Sequence, residues 1–219
     1  MQESTSVLMQ ENTPVRVASP CRRRFNVLGL ALGASLLAGT ALVGCKDPAP
    51  SFKSTDITGA DYGKSLTLTD VGSGKPVSLS DFRGKLVLVF FGFTHCPDVC
   101  PTTLLKAAQV RKQLGADGEK LQVLFVTVDP ERDTPEALAQ YVPAFDPSFI
   151  GLRGDPAETS KAAREFKVFY QKVPNRDGTS YNVDHTAASY VIDTQGRLRL
   201  FVRHAQPVEE IVSDLRQLL

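Results

Sequence analysis

Cys96 and Cys100 are the residues of this chain best suited to chemistry, and they sit in Thr94-His95-Cys96-Pro97-Asp98-Val99-Cys100-Pro101. An apolar run precedes this segment and a helical pattern follows it, so both sulfurs fall where a strand hands over to a helix. Open α/β sheets place their chemistry at that edge. Unpaired N–H groups and the positive end of a helix stabilise a thiolate, which makes a cysteine there nucleophilic and able to bind metal. Residues four apart share a helix face with Cβ atoms roughly 5 to 6 Å apart, so the sulfurs can meet one ion or each other. Soft thiolates favour Cu(I) and zinc over hard cations. A disulfide across three intervening residues closes too small a loop to constrain the unfolded chain, which argues against a purely structural staple. Redox work and metal binding therefore both stand. The step of three intervening residues, against two in ordinary thioredoxin-like oxidoreductases, relaxes a disulfide and widens the gap between the sulfurs, which favours a metal.

The chain has three histidines, His95, His185 and His204, and topology separates them. His185 precedes the strand pattern Ala187 to Ile192, which runs antiparallel to the strand ending at Phe93 and so begins at the cysteine edge. In thioredoxins that corner holds a cis-proline over the dithiol, whereas here it reads Asp184-His185-Thr186. Two thiolates and one imidazole make a three-coordinate site for Cu(I), while Cu(II) needs further donors. His95 follows a buried strand and is assigned to packing or to supporting the site, and His204 to the surface. Asp129 ends the second core strand at the same edge. It either caps the turn Asp129-Pro-Glu-Arg-Asp133 or tunes the site from behind.

These residues require elements to hold them. Leu86 to Phe93 and Leu121 to Val128 are near-continuous apolar runs, the mark of strands covered on both faces of a parallel sheet. Between them Leu104, Ala107, Ala108, Val110 and Leu114 recur at helical spacing, and Gly115 supplies a stop. Pro135 and Pro156 open two further helices, Glu136 to Tyr141 and Ala157 to Phe166. Ser65 to Thr69 and Pro76 to Leu79 flank a glycine turn, and Asn175-Arg-Asp-Gly178 marks an inserted hairpin. Strands from Ala187 to Ile192 and Leu198 to Val202 follow, and Val208, Ile211, Val212, Leu215 and Leu218 form a closing amphipathic helix. A parallel pair, an antiparallel pair and a final helix give an α/β thioredoxin-like fold, a central mixed sheet flanked by helices.

The N-terminal part reads differently. Arg22-Arg23-Arg24 precedes an almost uncharged run from Phe25 to Val43, and Leu42-Val43-Gly44-Cys45 looks like a bacterial lipobox whose cysteine carries lipid. The alternative is an uncleaved membrane helix, since the run is close to spanning length. The expected division is a lipoprotein signal peptide over 1–44, a flexible tether over 45–62 with its prolines and polar residues, and a thioredoxin-like domain over 63–219. Both readings place the domain outside the cytoplasm, attached to a membrane. With Cys21 in the leader and Cys45 lipidated, only Cys96 and Cys100 of the four cysteines remain, in an oxidising compartment. The net charge of +1 gives no nucleic-acid footprint.

Three ordered segments resemble the Sco/SenC family: Phe91-Gly-Phe-Thr-His-Cys-Pro-Asp-Val-Cys-Pro-Thr-Thr-Leu104, Val128-Asp-Pro-Glu-Arg-Asp-Thr-Pro-Glu136 and Val183-Asp-His-Thr-Ala-Ala-Ser-Tyr-Val-Ile-Asp193. The resemblance implies a membrane-attached assembly factor. Such a factor delivers copper to the dinuclear copper centre in subunit II of cytochrome c oxidase, or reduces the cysteines of that centre. It implies that Cys96, Cys100 and His185 match the copper ligands and Asp129 the acidic residue that supports them. Other periplasmic copper chaperones and thiol reductants would reload and re-reduce the site. A thiol-disulfide oxidoreductase, with Cys96 attacking and Cys100 resolving, remains the alternative. Family members usually carry a transmembrane anchor, where this sequence offers Cys45.

Overall fold

The computed structural model of the protein describes residues 50–219. Cys45 and the leader over 1–44 lie outside the described residues. The chain runs β1 (Thr55–Asp56), β2 (Thr67–Asp70), β3 (Pro76–Ser78), β4 (Leu86–Gly92), α1 (Val99–Gln113), β5 (Leu121–Thr127) and α2 (Pro135–Tyr141). It continues β6 (Ile150–Arg153), α3 (Pro156–Glu165), β7 (Tyr170–Pro174), β8 (Tyr181–His185), β9 (Ala188–Ile192), β10 (Leu198–Arg203) and α4 (Val208–Arg216).

Every residue of β4 and β5 is buried, as their near-continuous apolar runs require of strands covered on both faces. The two pair in parallel with Leu86 opposite Leu121 and Gly92 opposite Thr127. On the other side β4 pairs antiparallel with β9, Phe90 facing Ser189. The sheet order is β1-β10-β9-β4-β5-β6-β2-β3, with β7 and β8 forming a separate hairpin. α1 lays Cys100, Thr103, Leu104, Ala107 and Val110 into the core at helical spacing. It gives way at Leu114 to a 3₁₀ turn opened by Gly115 at φ +65°, a backbone setting that glycine adopts without a Cβ clash. α2 opens on Thr134, whose side chain accepts from the Ala137 N–H, with Pro135 pre-set for the first turn. α3 opens on a capping box between Asp155 and Glu158. This is the expected thioredoxin-like α/β arrangement. Its consequence for function is that the ends of β4 and β5 and the start of β9 meet at one sheet edge.

Two features depart from the sequence reading. The segment read as a tether is bound to the domain from Ser51 onward. The Ser51 N–H donates to Gln217 Oε1 at 3.0 Å, and the Lys53 and Ser54 N–H groups donate to the fully buried Asp214 carboxyl at 2.8 and 2.7 Å. β1 then pairs with β10, Thr55 opposite Phe201, while Phe52 and Ile57 pack on the core. Composition suggested a linker because the anchoring is done by backbone donors and two isolated apolar side chains. The second departure is β6, a third parallel strand beside β5 that also pairs with β2. Four residues including a buried glycine show no period from which a strand could be inferred.

Candidate metal centre

β4 ends at Gly92, and the chain turns through Phe93-Thr94-His95 before reaching Cys96 and the start of α1. Asp133 holds this turn. Its carboxyl is fully buried and accepts from the Thr94 N–H at 3.0 Å, from Thr94 Oγ1 at 2.6 Å and from Thr127 Oγ1 at 2.7 Å. The turn is thereby tied to the end of β5. Cys100 is fully buried one helical turn beyond Cys96, and its N–H donates to Cys96 Sγ at 3.4 Å. Gly92 makes room for it, because a Cβ there would stand 2.8 Å from Cys100 Sγ and 2.9 Å from the Phe125 ring.

His185 closes β8. Its ring meets Phe90 and Phe93 edge-on, with centroids 5.9 and 5.8 Å away. Nδ1 lies 3.2 Å from the Thr186 carbonyl, which can only accept, so the proton is assigned to Nδ1 and the Nε2 lone pair is left free. Nε2 is 3.5 Å from Cys100 Sγ. Cys96, Cys100 and His185 bring their donor atoms within 4.8 Å of one another. No metal-bearing geometry of this kind joins His95 or His204 to them among the described residues. His95 is exposed beside the turn. His204 is half-buried, with Nδ1 3.0 Å from Thr103 Oγ1, and so is more enclosed than the surface position expected of it.

Asp129 does not reach for the sulfurs, nor does its side chain cap the turn that follows. Buried completely, it pairs with Arg132 Nε and accepts from the Tyr181 hydroxyl at 2.9 Å. Arg132 Nη1 in turn donates to the Tyr181 carbonyl at 2.7 Å, and its guanidinium lies 3.8 Å from the centre of the Tyr181 ring. The acid thus fastens the root of β8, four residues before His185. Sequence reasoning missed Asp133, Arg132, Tyr181 and Gly92. Asp133 alone left a signal, a second acid four residues after Asp129 in the same turn.

The two thiols are driven apart in acidity. A hydrogen bond from Cys100 and the N–H groups of Asp98 and Cys100 favour the Cys96 thiolate over its burial, holding its pKa at about 5. That same bond and burial push the Cys100 thiol far up. Iodoacetamide modification of Cys96 in the reduced protein is therefore expected to accelerate as pH rises through about 5 and to level off by about 7. An ordinary thiol keeps accelerating toward about 8.5. Mass mapping of the alkylated site checks this, and a midpoint near that of a free thiol would contradict it. The soft, paired sulfurs with one neutral imidazole fit a soft metal ion in low coordination. An open groove of about 280 Å³ between Pro97-Asp98-Val99 and Asn182 to His185 leads to them.

A family model described as SCO1/SenC matches residues 54–219, beginning inside the docked N-terminal segment. The mitochondrial protein SCO2 homolog of Mus musculus is 40% identical over 146 residues, 66% of this chain and 57% of that protein. The chain thus spans little more than half the length of the curated relatives it matches. Among solved structures, ScoI of Bradyrhizobium japonicum with copper bound is 43% identical with a TM-score of 0.65, covering 73% of this chain and 100% of that one. Apo Sco1 from Thermus thermophilus is 44% identical with a TM-score of 0.69, covering 77% and 98%. With its fold, its two cysteines and its histidine placed together and the family model matched over three quarters of its length, this chain belongs to the SCO1/SenC family.

Proposed function

We propose that this protein binds copper through Cys96, Cys100 and His185 and acts in the assembly of cytochrome c oxidase, delivering the ion to the dinuclear copper centre of subunit II. The observation that carries the reading is the convergence of two sulfurs and one free imidazole lone pair within 4.8 Å. The copper-bound B. japonicum relative supports it. Copper is cargo here: Cys96 and Cys100 supply thiolate sulfur, His185 supplies a neutral nitrogen, and Phe90 and Phe93 hold that ring in place. Attachment to the periplasmic side of the bacterial inner membrane through lipid on Cys45 belongs to the same proposal, supported by the Arg22–Arg24 and Leu42–Cys45 patterns. No helix among the described residues is long and apolar enough to cross a membrane. Periplasmic copper chaperones and thiol reductants would supply the ion and keep the dithiol reduced.

The split acidity of the thiols favours a second, companion reading as a thiol-disulfide reductant of subunit II. The Cys96 thiolate would attack a partner disulfide and form a mixed disulfide. Cys100 would then lose its proton to the departing partner thiolate and attack Cys96 Sγ; the other partner thiolate takes a proton from solvent, leaving the partner as two thiols and this protein with a Cys96–Cys100 disulfide. Mixing reduced, Cu(I)-loaded protein with the metal-free soluble domain of subunit II separates the two. After one-electron oxidation of the mixture with ferricyanide, appearance of the mixed-valence dinuclear copper chromophore in proportion to copper added is expected. Absence of transfer, with reduction of the subunit's disulfide by the metal-free protein, would leave only the reductant. Mass measurement of membrane-extracted protein is expected to show lipid on Cys45, and an intact N-terminus would overturn that attachment.

A further inference from the structure

His95 is not among the three converging donors, yet it is an exposed imidazole next in sequence to Cys96. Its imidazole is 56% exposed, while Cys100 is fully buried and Cys96 half-buried. The ring is nevertheless oriented. Thr94 Oγ1 gives its own proton to Asp133 Oδ1 at 2.6 Å, so its 3.1 Å contact with His95 Nδ1 is a bond that Nδ1–H donates. Asp133 Oδ1, itself wholly buried, lies 3.6 Å from the same nitrogen. The proton is thus assigned to Nδ1, and Nε2 carries a lone pair with no hydrogen-bond partner among the described residues. The same carboxyl and hydroxyl that hold the turn therefore also set the orientation of the His95 ring. This is the relay that orients metal-bound imidazoles, here built behind a ring that faces solvent.

Resting on the copper reading above, we propose that His95 is the exchange ligand of the site: its Nε2 takes Cu(I) from an incoming carrier together with Cys96, before Cys100 and His185 complete the site. A soft ion passes between proteins by forming each new bond before an old one breaks, and a carrier cannot reach a sulfur that is fully buried. The carrier's ligand leaves with its own electron pair, and His95 contributes a lone pair without losing a proton, because that proton sits on Nδ1. Cys100 releases its thiol proton to solvent as its sulfur binds, and the His95 bond then breaks. Copper stays Cu(I) throughout and no electron moves. Release to a partner follows the same steps in reverse.

The test uses the reduced full chain and its His95→Asn and His95→Ala variants, with Cu(I) presented as its bicinchoninate complex under anaerobic conditions. Asparagine keeps an N–H to reach Thr94 and lacks the distal nitrogen. Both variants are expected to acquire copper about tenfold more slowly than the parent at an equilibrium affinity within about twofold of it. Long-range proton–nitrogen NMR of the metal-free parent is expected to show His95 protonated on Nδ1. A parent-like rate in His95→Asn would reduce His95 to a prop for the loop, and an affinity loss matching the rate loss would make it a resident ligand; either overturns the proposal. Failure of the parent itself to compete with bicinchoninate would instead strike the copper reading.

Discussion

His185→Ala is expected to lower the Cu(I) affinity of the reduced protein by more than about 100-fold, since residues that merely orient a ligand already cost 10- to 100-fold. Among the described residues His185 is the only histidine grouped with the two sulfurs within 4.8 Å. In the neutral ring the Nδ1–H donates to the Thr186 carbonyl, which puts the lone pair on Nε2, 3.5 Å from Cys100 Sγ. Removing the ring leaves two thiolates and a gap bordered by Phe90 and Phe93, which offer no donor. The fold should survive, because His185 ends a peripheral hairpin and is not part of the central sheet. Competition titration against a Cu(I) chelator reads the affinity, and circular dichroism confirms folding. An unchanged affinity in a folded variant would remove His185 from the site.

The largest effect on stability is expected at a residue that touches no metal. Asp133→Ala should cost about 3 to 5 kcal/mol of unfolding free energy. It strands the Thr94 N–H, the Thr94 hydroxyl and the buried Thr127 hydroxyl, each worth about 1 to 3 kcal/mol when left without a partner. These three bonds, at 3.0, 2.6 and 2.7 Å, tie the turn that carries Cys96 to the end of β5. Urea unfolding measures the cost. Asp133→Asn retains one acceptor oxygen and should lose less, whereas a cost below about 1 kcal/mol for alanine would show that water replaces the carboxyl.

Legibility followed physical scale. The core strands could be read because β4 and β5 bury every side chain and so show near-continuous apolar runs. α1 and α4 could be read because each buries one face and shows the matching period. The convergence of Cys96, Cys100 and His185 was legible too: it depends only on strand direction, and the antiparallel pairing of β4 with β9 delivers it. What could not be read rests on single hydrogen bonds over long sequence distances. Asp214 holds Lys53 and Ser54 across more than 150 residues, and Asp129 holds Tyr181 across 52. No local pattern announces such a bond. No local pattern separates capping from support at Asp129, whose carboxyl anchors the hairpin that presents His185 through Tyr181 and Arg132. Gly92 was invisible for a different reason, since its significance lies in the 2.8 Å that a Cβ would leave to Cys100 Sγ.

Copper held by Cys96, Cys100 and His185 has a coordination shell that can be read directly. X-ray absorption of the Cu(I)-loaded full chain should show two sulfur neighbours and one nitrogen neighbour per copper, with the nitrogen signal lost in His185→Ala and kept in His95→Ala. A copper bound by sulfur alone in the parent, or a nitrogen signal that survives His185→Ala, would contradict it.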